Sequence, residues 1–261
     1  MASIFWGDRT FAGVRAVIFD KDGTLADSHH YLRQQAAKRL ARLEAHLLGS
    51  PYGDRLFPTW TMRLAAAWGV TETAVHPAGL LAVGSRQENE WVSAGYITPL
   101  GYSWIEALTL VQTAFAEASA TTDRKDLLTP AFPGIVELLR SLHGAGYRLG
   151  ILSADITPNV EAFAQTHGLA PYLHLCMGTQ PGLPKPDPGL LELACQQLGV
   201  TAPATIVVGD SSADIELAKR GGAAAAIAAT WGWSTAFTLP NADVHLASVD
   251  EIRIAEAIHC S

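Results

Sequence analysis

Three short apolar runs, each followed by a stretch with helical periodicity, constrain the fold of this chain more than any other feature. The runs are AVIF, LGIL and IVVG, and the residues that follow them are Asp20, Ser153 and Asp210. Continuously apolar strands that alternate with helices are typical of a parallel sheet covered on both faces. The sequence therefore predicts an α/β fold with a mostly parallel sheet.

Further segments extend this alternation along the C-terminal half of the chain. Two shorter runs, LHLCM and AAAAIAA, have the length of strands. Apolar spacing and end signals predict connecting helices in PGIVELLRSLHGAG, residues 157–167, DPGLLELACQQLG and SADIELAKRGG. Ser248 and Glu251 have the spacing of a capping box. This pattern predicts a final helix from Ser248 to His259.

The stretch between residues 27 and 130 interrupts the alternation, because a strand-to-helix connection normally takes about 2–6 residues. Ser85 and Glu88 form another capping-box pattern inside it. Apolar residues recur there at helical spacing in two stripes: Leu32, Ala36, Leu40, Leu43 and Leu47, and then Ile105, Leu108, Val111 and Phe115. We predict an inserted helical subdomain at residues 27–129, with residues 1–26 and 130–261 forming the core.

Composition excludes several classes of protein. A net charge of −7 provides no positive surface for nucleic acid. The segment MASIFWGDRTFAG has no signal-peptide pattern, and the longest run of small apolar residues, Ala223–Ala229, is too short to span a bilayer. The cysteines Cys176, Cys195 and Cys260 lack the spacing of a metal site or a disulfide framework. We predict a cytoplasmic protein with neither nucleic acid nor membrane as partner.

Polar residues that follow parallel strands meet at one edge of the sheet, which is where ligands bind in such folds. The turn-rich segment GLPKPDP is expected to reach the same edge. The converging side chains are those of Asp20, Asp22, Ser153, Lys185, Asp210 and Asp214. One lysine does not balance four carboxylates, whereas a hard divalent cation such as Mg²⁺ does, and it also takes oxygens from a phosphate. The set therefore indicates a magnesium site that binds a phosphate ester.

The chemistry open to this set is phosphoryl transfer. An aspartate beside a bound phosphate can attack phosphorus and form an acyl phosphate. A second aspartate two residues away can protonate the leaving oxygen and later activate water. Lys185 and the hydroxyl of Ser153 suit the remaining phosphate oxygens.

Four segments carry a resemblance to a known family. FDKDGTL, ILSA, LPKPDP and VVGDSSADIE resemble, in the same order, the four motifs of the haloacid dehalogenase-like superfamily. The resemblance covers roughly residues 14–26 and 130–261. It implies a Rossmannoid core, a helical cap of the C1 type inserted after the first motif, and Mg²⁺ as cofactor.

The resemblance also implies a role for each matching residue. Asp20 is the nucleophile and a Mg²⁺ ligand, and Asp22 is the general acid and base whose backbone carbonyl also binds Mg²⁺. Asp210 is a further Mg²⁺ ligand that Asp214 supports. The residues implied to bind phosphate are Ser153, Ala154 through its backbone amide, and Lys185, with Gly23 and Thr24 in support.

The chain departs from the family pattern at two positions. Asp155 follows Ala154 where phosphoglycolate phosphatase-like members often carry Asn after the hydroxyl, and backbone amides can bind phosphate there instead. Lys21 stands between the two acids, and strand alternation predicts that its side chain points away from them.

Two roles stay open for some of the other candidate residues. His29 and Arg86, in the predicted cap, are either surface residues or contacts to the substrate. Trp231 and Trp233 are expected to serve packing.

The leading functional hypothesis is a Mg²⁺-dependent phosphatase of the phosphoglycolate phosphatase-like branch, acting on a small phosphorylated metabolite through an aspartyl phosphate. A phosphomutase resembling β-phosphoglucomutase is the first alternative, and Thr24 favours hydrolysis over it. A haloacid dehalogenase has no use for Asp22 or for Mg²⁺. A non-catalytic protein that keeps the fold for binding stays open, although the complete set of motif residues argues against it.

Overall fold

The computed structural model describes residues 3–53, 59–120, 124–233 and 237–255. The chain divides into two compact units. The larger unit combines Met1–Ser28 with Lys125–Ser261, and the smaller unit is His29–Arg124. These limits lie a few residues from the predicted ones, and the function of the smaller unit as a cap stays a prediction.

Nine strands are found in the described residues, all in the larger unit. They are β1 Ile4–Trp6, β2 Arg9–Thr10, β3 Ala16–Phe19, β4 Arg148–Leu152, β5 Leu175–Met177, β6 Thr205–Gly209, β7 Ala225–Ala229, β8 Val244–Leu246 and β9 Ile252–Ile254. Six of them form one sheet in the order β5-β4-β3-β6-β7-β8. Every neighbouring pair in this sheet is parallel. The predicted α/β fold with a parallel sheet is confirmed.

Ten α-helices complete the described structure. The smaller unit contains α1 His29–Leu48, α2 Trp60–Ala67, α3 Leu80–Val83, α4 Arg86–Ile97 and α5 Trp104–Ala120. The larger unit contains α6 Lys125–Leu128, α7 Ile135–Gly144, α8 Thr157–Thr166, α9 Pro188–Leu198 and α10 Ser212–Arg220. Among these described helices, none combines the length and the apolar character that crossing a bilayer requires.

Two apolar clusters cover the two faces of the large sheet. In β3, Val17 and Phe19 belong to one cluster, which includes residues of α7 and α8. Ala16 and Ile18 belong to the other, which includes residues of α9 and α10. The period-two alternation of a strand places successive side chains on opposite faces. β3 is therefore buried on both sides, and its end is held at a fixed position in the middle of the sheet.

The predicted final helix is wrong. Ser248 and Glu251 do form a capping box, but it caps only one 3-10 turn, Val249–Glu251. The chain then enters β9, which pairs with β1 in a second, antiparallel sheet of order β2-β1-β9. Pairing with a strand from the other end of the chain overrides the local helix signal. Residues 256–259 lie outside the described residues.

The smaller unit is built around the packing of α1 with α5 and of α4 with α5. The capping box of Ser85 and Glu88 at the start of α4 is confirmed. The stripe predicted on α5 is wrong at one position, because Ile105 is 68% exposed. The buried positions of that helix are Ala107, Val111, Ala114, Phe115 and Ala118. The packed face of α5 therefore consists of three alanines together with Val111 and Phe115, and Ile105 is not part of it.

Candidate active site

Side chains that follow three neighbouring strands lie at the carboxyl edge of the large sheet. Asp20 follows β3, Ser153 follows β4 and Asp210 follows β6. Because β3 lies between the other two strands, the three residues follow adjacent parallel strands. All three are buried. This is the juxtaposition that the sequence predicts.

Three carboxylates and one ammonium form what we call the acid cluster: Asp20, Asp210, Asp214 and Lys185. Carboxylate oxygens of the three aspartates all lie within 4.8 Å of one another. The Nζ of Lys185 donates to Asp20 Oδ1 at 2.6 Å and to Asp214 Oδ1 at 2.7 Å. One positive charge thus faces three potential negative charges in a buried place.

Burial and crowding control the protonation of this cluster. The pKa of Asp20 is raised to about 6, chiefly by burial, with the charges of Asp214 and Asp22 adding to the rise and Lys185 opposing it. Burial also raises the pKa of Asp210 well above its usual range, with the charges of Asp20 and Asp214 adding to the effect. Crowded, buried carboxylates resist ionising together, and a cation beside them favours their charged forms. The oxygen-only donor set suits a hard divalent cation.

Groups from two loops hold Asp210 in place. Thr24 Oγ1 donates to Asp210 Oδ1 at 3.3 Å, and Trp233 Nε1 donates to Asp210 Oδ2 at 2.7 Å. Gly23 has a φ of +84°, and a Cβ at this residue would lie 2.1 Å from Asp210 Oδ2. Only glycine fits there without displacing the carboxylate.

The tryptophans have more than the packing role expected for them. Trp233 donates to an acid of the cluster, and Trp231 Nε1 donates to the carbonyl of Thr24 at 2.9 Å. Both residues follow β7, which is parallel to β6 and therefore ends at the same edge. Their position after a parallel strand was the sequence signal that could have placed these tryptophans near the acid cluster.

Asp214 serves both as a helix cap and as a member of the acid cluster. Its Oδ2 accepts from Ser211 Oγ at 2.6 Å and from Ser211 N at 3.1 Å, which completes a capping box at the start of α10. Its Oδ1 accepts from Lys185. The two roles are compatible, because each carboxylate oxygen has its own partners.

A second group, which we call the ion-pair cluster, contains Lys21, Asp22, Lys125 and Asp155. Lys21 Nζ lies 2.7 Å from Asp22 Oδ2 and 3.3 Å from Asp155 Oδ2. Lys125 Nζ lies 2.9 Å from Asp22 Oδ2 and 2.6 Å from Asp155 Oδ2. Two lysines balance two aspartates here.

The electrostatics of the ion-pair cluster are the reverse of those in the acid cluster. Burial alone would raise the pKa of Asp22, but Lys125 and Lys21 together hold it well below its usual range. The pKa of Asp155 is likewise lowered, because the same two lysines outweigh its burial. Both carboxylates are therefore ionised without any added cation.

Two expectations from the sequence are corrected by this cluster. Lys21 does not point away from the acids, since it contacts Asp22 directly. β3 ends at Phe19, so strand alternation does not extend to Lys21. Lys185 is also not the only cation near the acids, because Lys125 was not recognised in the sequence. It is separated from Asp22 by 103 positions, and no local pattern marks it.

The residues after β4 combine a hydroxyl with exposed backbone. Ser153 Oγ accepts a hydrogen bond from Asp155 N at 3.1 Å, so its own proton can be donated elsewhere. Ala154 is exposed. Asp155 Oδ1 accepts from Ile156 N and from Asn159 Nδ2, each at 2.8 Å. Asp155 thus organises this loop as well as the ion-pair cluster.

The two candidates in the smaller unit have partners of their own. His29 Nε2 accepts from Val75 N at 3.3 Å. Arg86 Nε donates to Glu90 Oε1 at 2.8 Å, one helical turn further along α4. Contact of either residue with a substrate stays a prediction.

Comparison with known proteins gives one match to a family model and matches to two individual proteins. The family model for haloacid dehalogenase-like hydrolase matches residues 14–222. "Probable phosphatase IndB" of Dickeya dadantii is 38% identical over 113 residues, which cover 43% of this chain and 49% of that protein. A phosphoglycolate phosphatase of Salmonella paratyphi A is 27% identical over 251 residues, which cover 92% of this chain and 91% of that protein.

One solved structure extends the fold comparison over nearly the whole chain. The structure of a predicted phosphoglycolate phosphatase from Haemophilus somnus has a TM-score of 0.60 at 18% identity. The alignment covers 90% of this chain and 94% of that one. At this level of identity the similarity supports the fold alone.

Proposed function

Because this chain belongs to the haloacid dehalogenase-like hydrolase family, we propose that it is a Mg²⁺-dependent phosphatase. It hydrolyses a small phosphate monoester through an acyl phosphate on Asp20. The observation that carries the proposal is the acid cluster: Asp20 follows the central strand, accepts from Lys185, and lies among further carboxylates. Relatives named as phosphatases support the same reaction class.

The first half of the reaction is attack by the Asp20 carboxylate on phosphorus. The new bond joins a carboxylate oxygen to phosphorus, and the bond to the alcohol oxygen breaks. Lys185 has three N–H donors, of which two contact Asp20 and Asp214, so the third is available to a phosphate oxygen. The hydroxyl of Ser153 and the exposed backbone at Ala154 are the other phosphate contacts in this proposal.

The second half needs a group that handles protons. When the substrate binds, the negative charge of its phosphate favours the protonated form of Asp22, which takes up a proton from solvent. It gives that proton to the departing alcohol oxygen, and later takes one from the water that attacks the phosphorylated Asp20. Inorganic phosphate leaves, and both aspartates return to their starting states. The protein's own groups raise the pKa of Asp20 and lower that of Asp22. A nucleophile and a general acid need the opposite shifts, which the positive charge of Mg²⁺ and the negative charge of the phosphate would supply.

A magnesium ion fits the donors of the acid cluster. Asp20, Asp210 and the backbone carbonyl of Asp22 would hold it, and Asp214 would support the site through Lys185. When bound, the ion supplies positive charge that offsets the carboxylates and polarises the phosphate. Burial of Asp20 and Asp210 without enough lysine is the structural feature that fits this requirement.

We propose 2-phosphoglycolate as the first compound to test, since this is the substrate class in the name of a relative aligned over most of both chains. The smaller unit is proposed as the part that selects the substrate. Its replacement by a short Gly/Ser linker is expected to broaden the preference among small phosphate esters. An unchanged preference in a folded truncated protein would contradict that role.

The test of the proposed function is a panel of phosphorylated metabolites assayed for released inorganic phosphate with Mg²⁺ present. Release without any added sugar bisphosphate is expected. Transfer of the phosphoryl group to a sugar, with little free phosphate, would instead indicate the phosphomutase. No turnover on the whole panel would leave the non-catalytic alternative.

A further inference from the structure

The two carboxylate oxygens of Asp22 have different surroundings. Oδ2 receives both ammonium groups, from Lys21 at 2.7 Å and from Lys125 at 2.9 Å. Oδ1 is buried and has no hydrogen-bond partner among the described residues. A buried acceptor without a partner is costly. The asymmetry is therefore a property that the surrounding structure imposes on Asp22.

Lys125 is well placed to impose this asymmetry on Asp22, because contacts that do not involve Asp22 hold its backbone in place. It is the first residue of α6, and its carbonyl accepts from Thr129 Oγ1 at 2.9 Å. The next residue, Asp126, accepts from Thr166 Oγ1 through its side chain, and its carbonyl contacts His167 Nε2 at 2.8 Å. These contacts tie α6 to the C-terminal end of α8.

Asp155 fixes the other side of the lysine. Its Oδ2 lies 2.6 Å from Lys125 Nζ, while its Oδ1 is held by Ile156 N and Asn159 Nδ2. The ammonium thus has one fixed acid behind it and Asp22 in front of it. Its position does not depend on what Asp22 does.

We propose that Lys125 is a positioning residue for the phosphatase reaction: by holding Oδ2 of Asp22, it leaves Oδ1 as the oxygen that exchanges the proton. This inference rests on the proposed function. Oδ1 is the atom that takes up a proton when the substrate binds, passes it to the alcohol oxygen as its bond to phosphorus breaks, and later accepts one from water. Lys125 touches neither the substrate nor the reacting atoms in this role.

The experiment compares Lys125→Met with Lys125→Arg and with Lys219→Met. Lys219 is a matched control, because it also pairs with an aspartate, Asp243, at 2.7 Å, but lies outside both clusters. Two probes are used with Mg²⁺: 2-phosphoglycolate, whose alkoxide leaving group needs a proton, and p-nitrophenyl phosphate, whose leaving group needs little help. Thermal unfolding of each variant is measured alongside.

The expected result is a loss that depends on the leaving group. For Lys125→Met, kcat/KM on 2-phosphoglycolate is expected to fall about 10-fold to 100-fold. The larger of these values equals the smallest loss that is usual when a general acid is removed, about 10²-fold. The loss on p-nitrophenyl phosphate is several times smaller. Lys125→Arg recovers part of the activity, and Lys219→Met stays at the wild-type value. In an Asp22→Asn background, Lys125→Met causes no additional loss.

Several outcomes would overturn the inference. These are an equal loss on both probes, or a further loss in the Asp22→Asn background, either of which indicates a general structural role. A crystal structure of Lys125→Met supplies a readout that needs no activity: the Asp22 carboxylate is expected to rotate, and an unchanged carboxylate contradicts the proposal. If wild-type protein hydrolyses neither probe, the proposed function fails, and the crystal structure still decides whether Lys125 orients Asp22.

Discussion

The acid cluster and the ion-pair cluster lie at the same edge of one sheet and are joined by a single turn, yet their charges are arranged in opposite ways. Lys185 alone faces Asp20, Asp210 and Asp214 in the acid cluster. The ion-pair cluster has as many lysines as aspartates. The acid cluster has an excess of carboxylates over lysines, whereas the charges of the ion-pair cluster balance.

This difference shows how two aspartates separated by one residue acquire different properties. Asp20 is buried among other carboxylates, so its pKa rises to about 6. Asp22 lies between two ammonium groups, so its pKa falls. Sequence proximity does not determine the chemistry of an acid, because most of the charged groups around it, such as Lys185, Asp214 and Lys125, come from distant parts of the chain.

The largest expected effect is the loss of the nucleophile. Asp20→Asn should abolish hydrolysis, because the amide does not attack phosphorus, and phosphate release in the steady state is the measurement. Asp243→Asn is the matched control, since Asp243 also accepts from a lysine but outside both clusters. Hydrolysis by the Asp20→Asn protein at a rate near that of wild type would show that the acid cluster has been assigned the wrong role.

Removal of the cation should be almost as severe, and it should act on the acid cluster alone. Excess EDTA is expected to stop turnover, and added Mg²⁺ to restore it. Mg²⁺ should also raise the midpoint of thermal unfolding of the wild-type protein, because a ligand that binds the native state stabilises it. That rise should shrink in Asp210→Asn. A stabilisation by Mg²⁺ that is the same in both proteins would place the ion elsewhere.

Asp22→Asn should slow hydrolysis about 10²-fold to 10⁴-fold, the usual range for losing a general acid or base. It should leave the stabilisation by Mg²⁺ unchanged, because the backbone carbonyl remains. The two measurements together distinguish the roles of the clusters. A change in the ion-pair cluster should affect proton transfer, and a change in the acid cluster should affect metal binding. Equal losses of rate and of Mg²⁺ affinity would indicate that the two clusters act as one site.

The smallest expected effect is that of Trp233→Phe. The change removes one hydrogen bond to Asp210 Oδ2 and keeps an aromatic ring. A hydrogen bond to a charged group contributes about 1.5–3 kcal/mol, so the apparent affinity for Mg²⁺ should fall by about 10-fold to 100-fold. A titration of activity against Mg²⁺ measures this, with Trp91→Phe, an exposed residue of the smaller unit, as control. No change would mean that Thr24 alone holds Asp210.

The sequence was sufficient to predict the acid cluster because its members are marked locally. Asp20 and Asp210 directly follow apolar strands, and a parallel sheet brings such positions together regardless of their separation in sequence. Lys185 lies in a proline-rich turn that had to reach the same edge. Each of these positions is fixed by its own neighbours in the chain.

The ion-pair cluster could not be predicted in the same way. Lys125 comes from a short helix inside what the sequence indicates as part of the insertion, and its partners Asp22 and Asp155 lie far away in sequence. The small antiparallel sheet was missed for the same reason, since β1 and β9 are three residues each and pair across most of the chain. Short elements that depend on distant partners leave little periodicity to read.

The pairing of β1 with β9 also sets an order on folding during synthesis. Trp6 is fully buried, and the edge of β1 that faces β9 has no strand to pair with until residues 252–254 have been made. The smaller unit, in contrast, is one continuous stretch, His29–Arg124. A ribosome-bound chain can therefore complete the inserted unit first, while the unit that carries Asp20 and Asp22 is completed only near the end of translation.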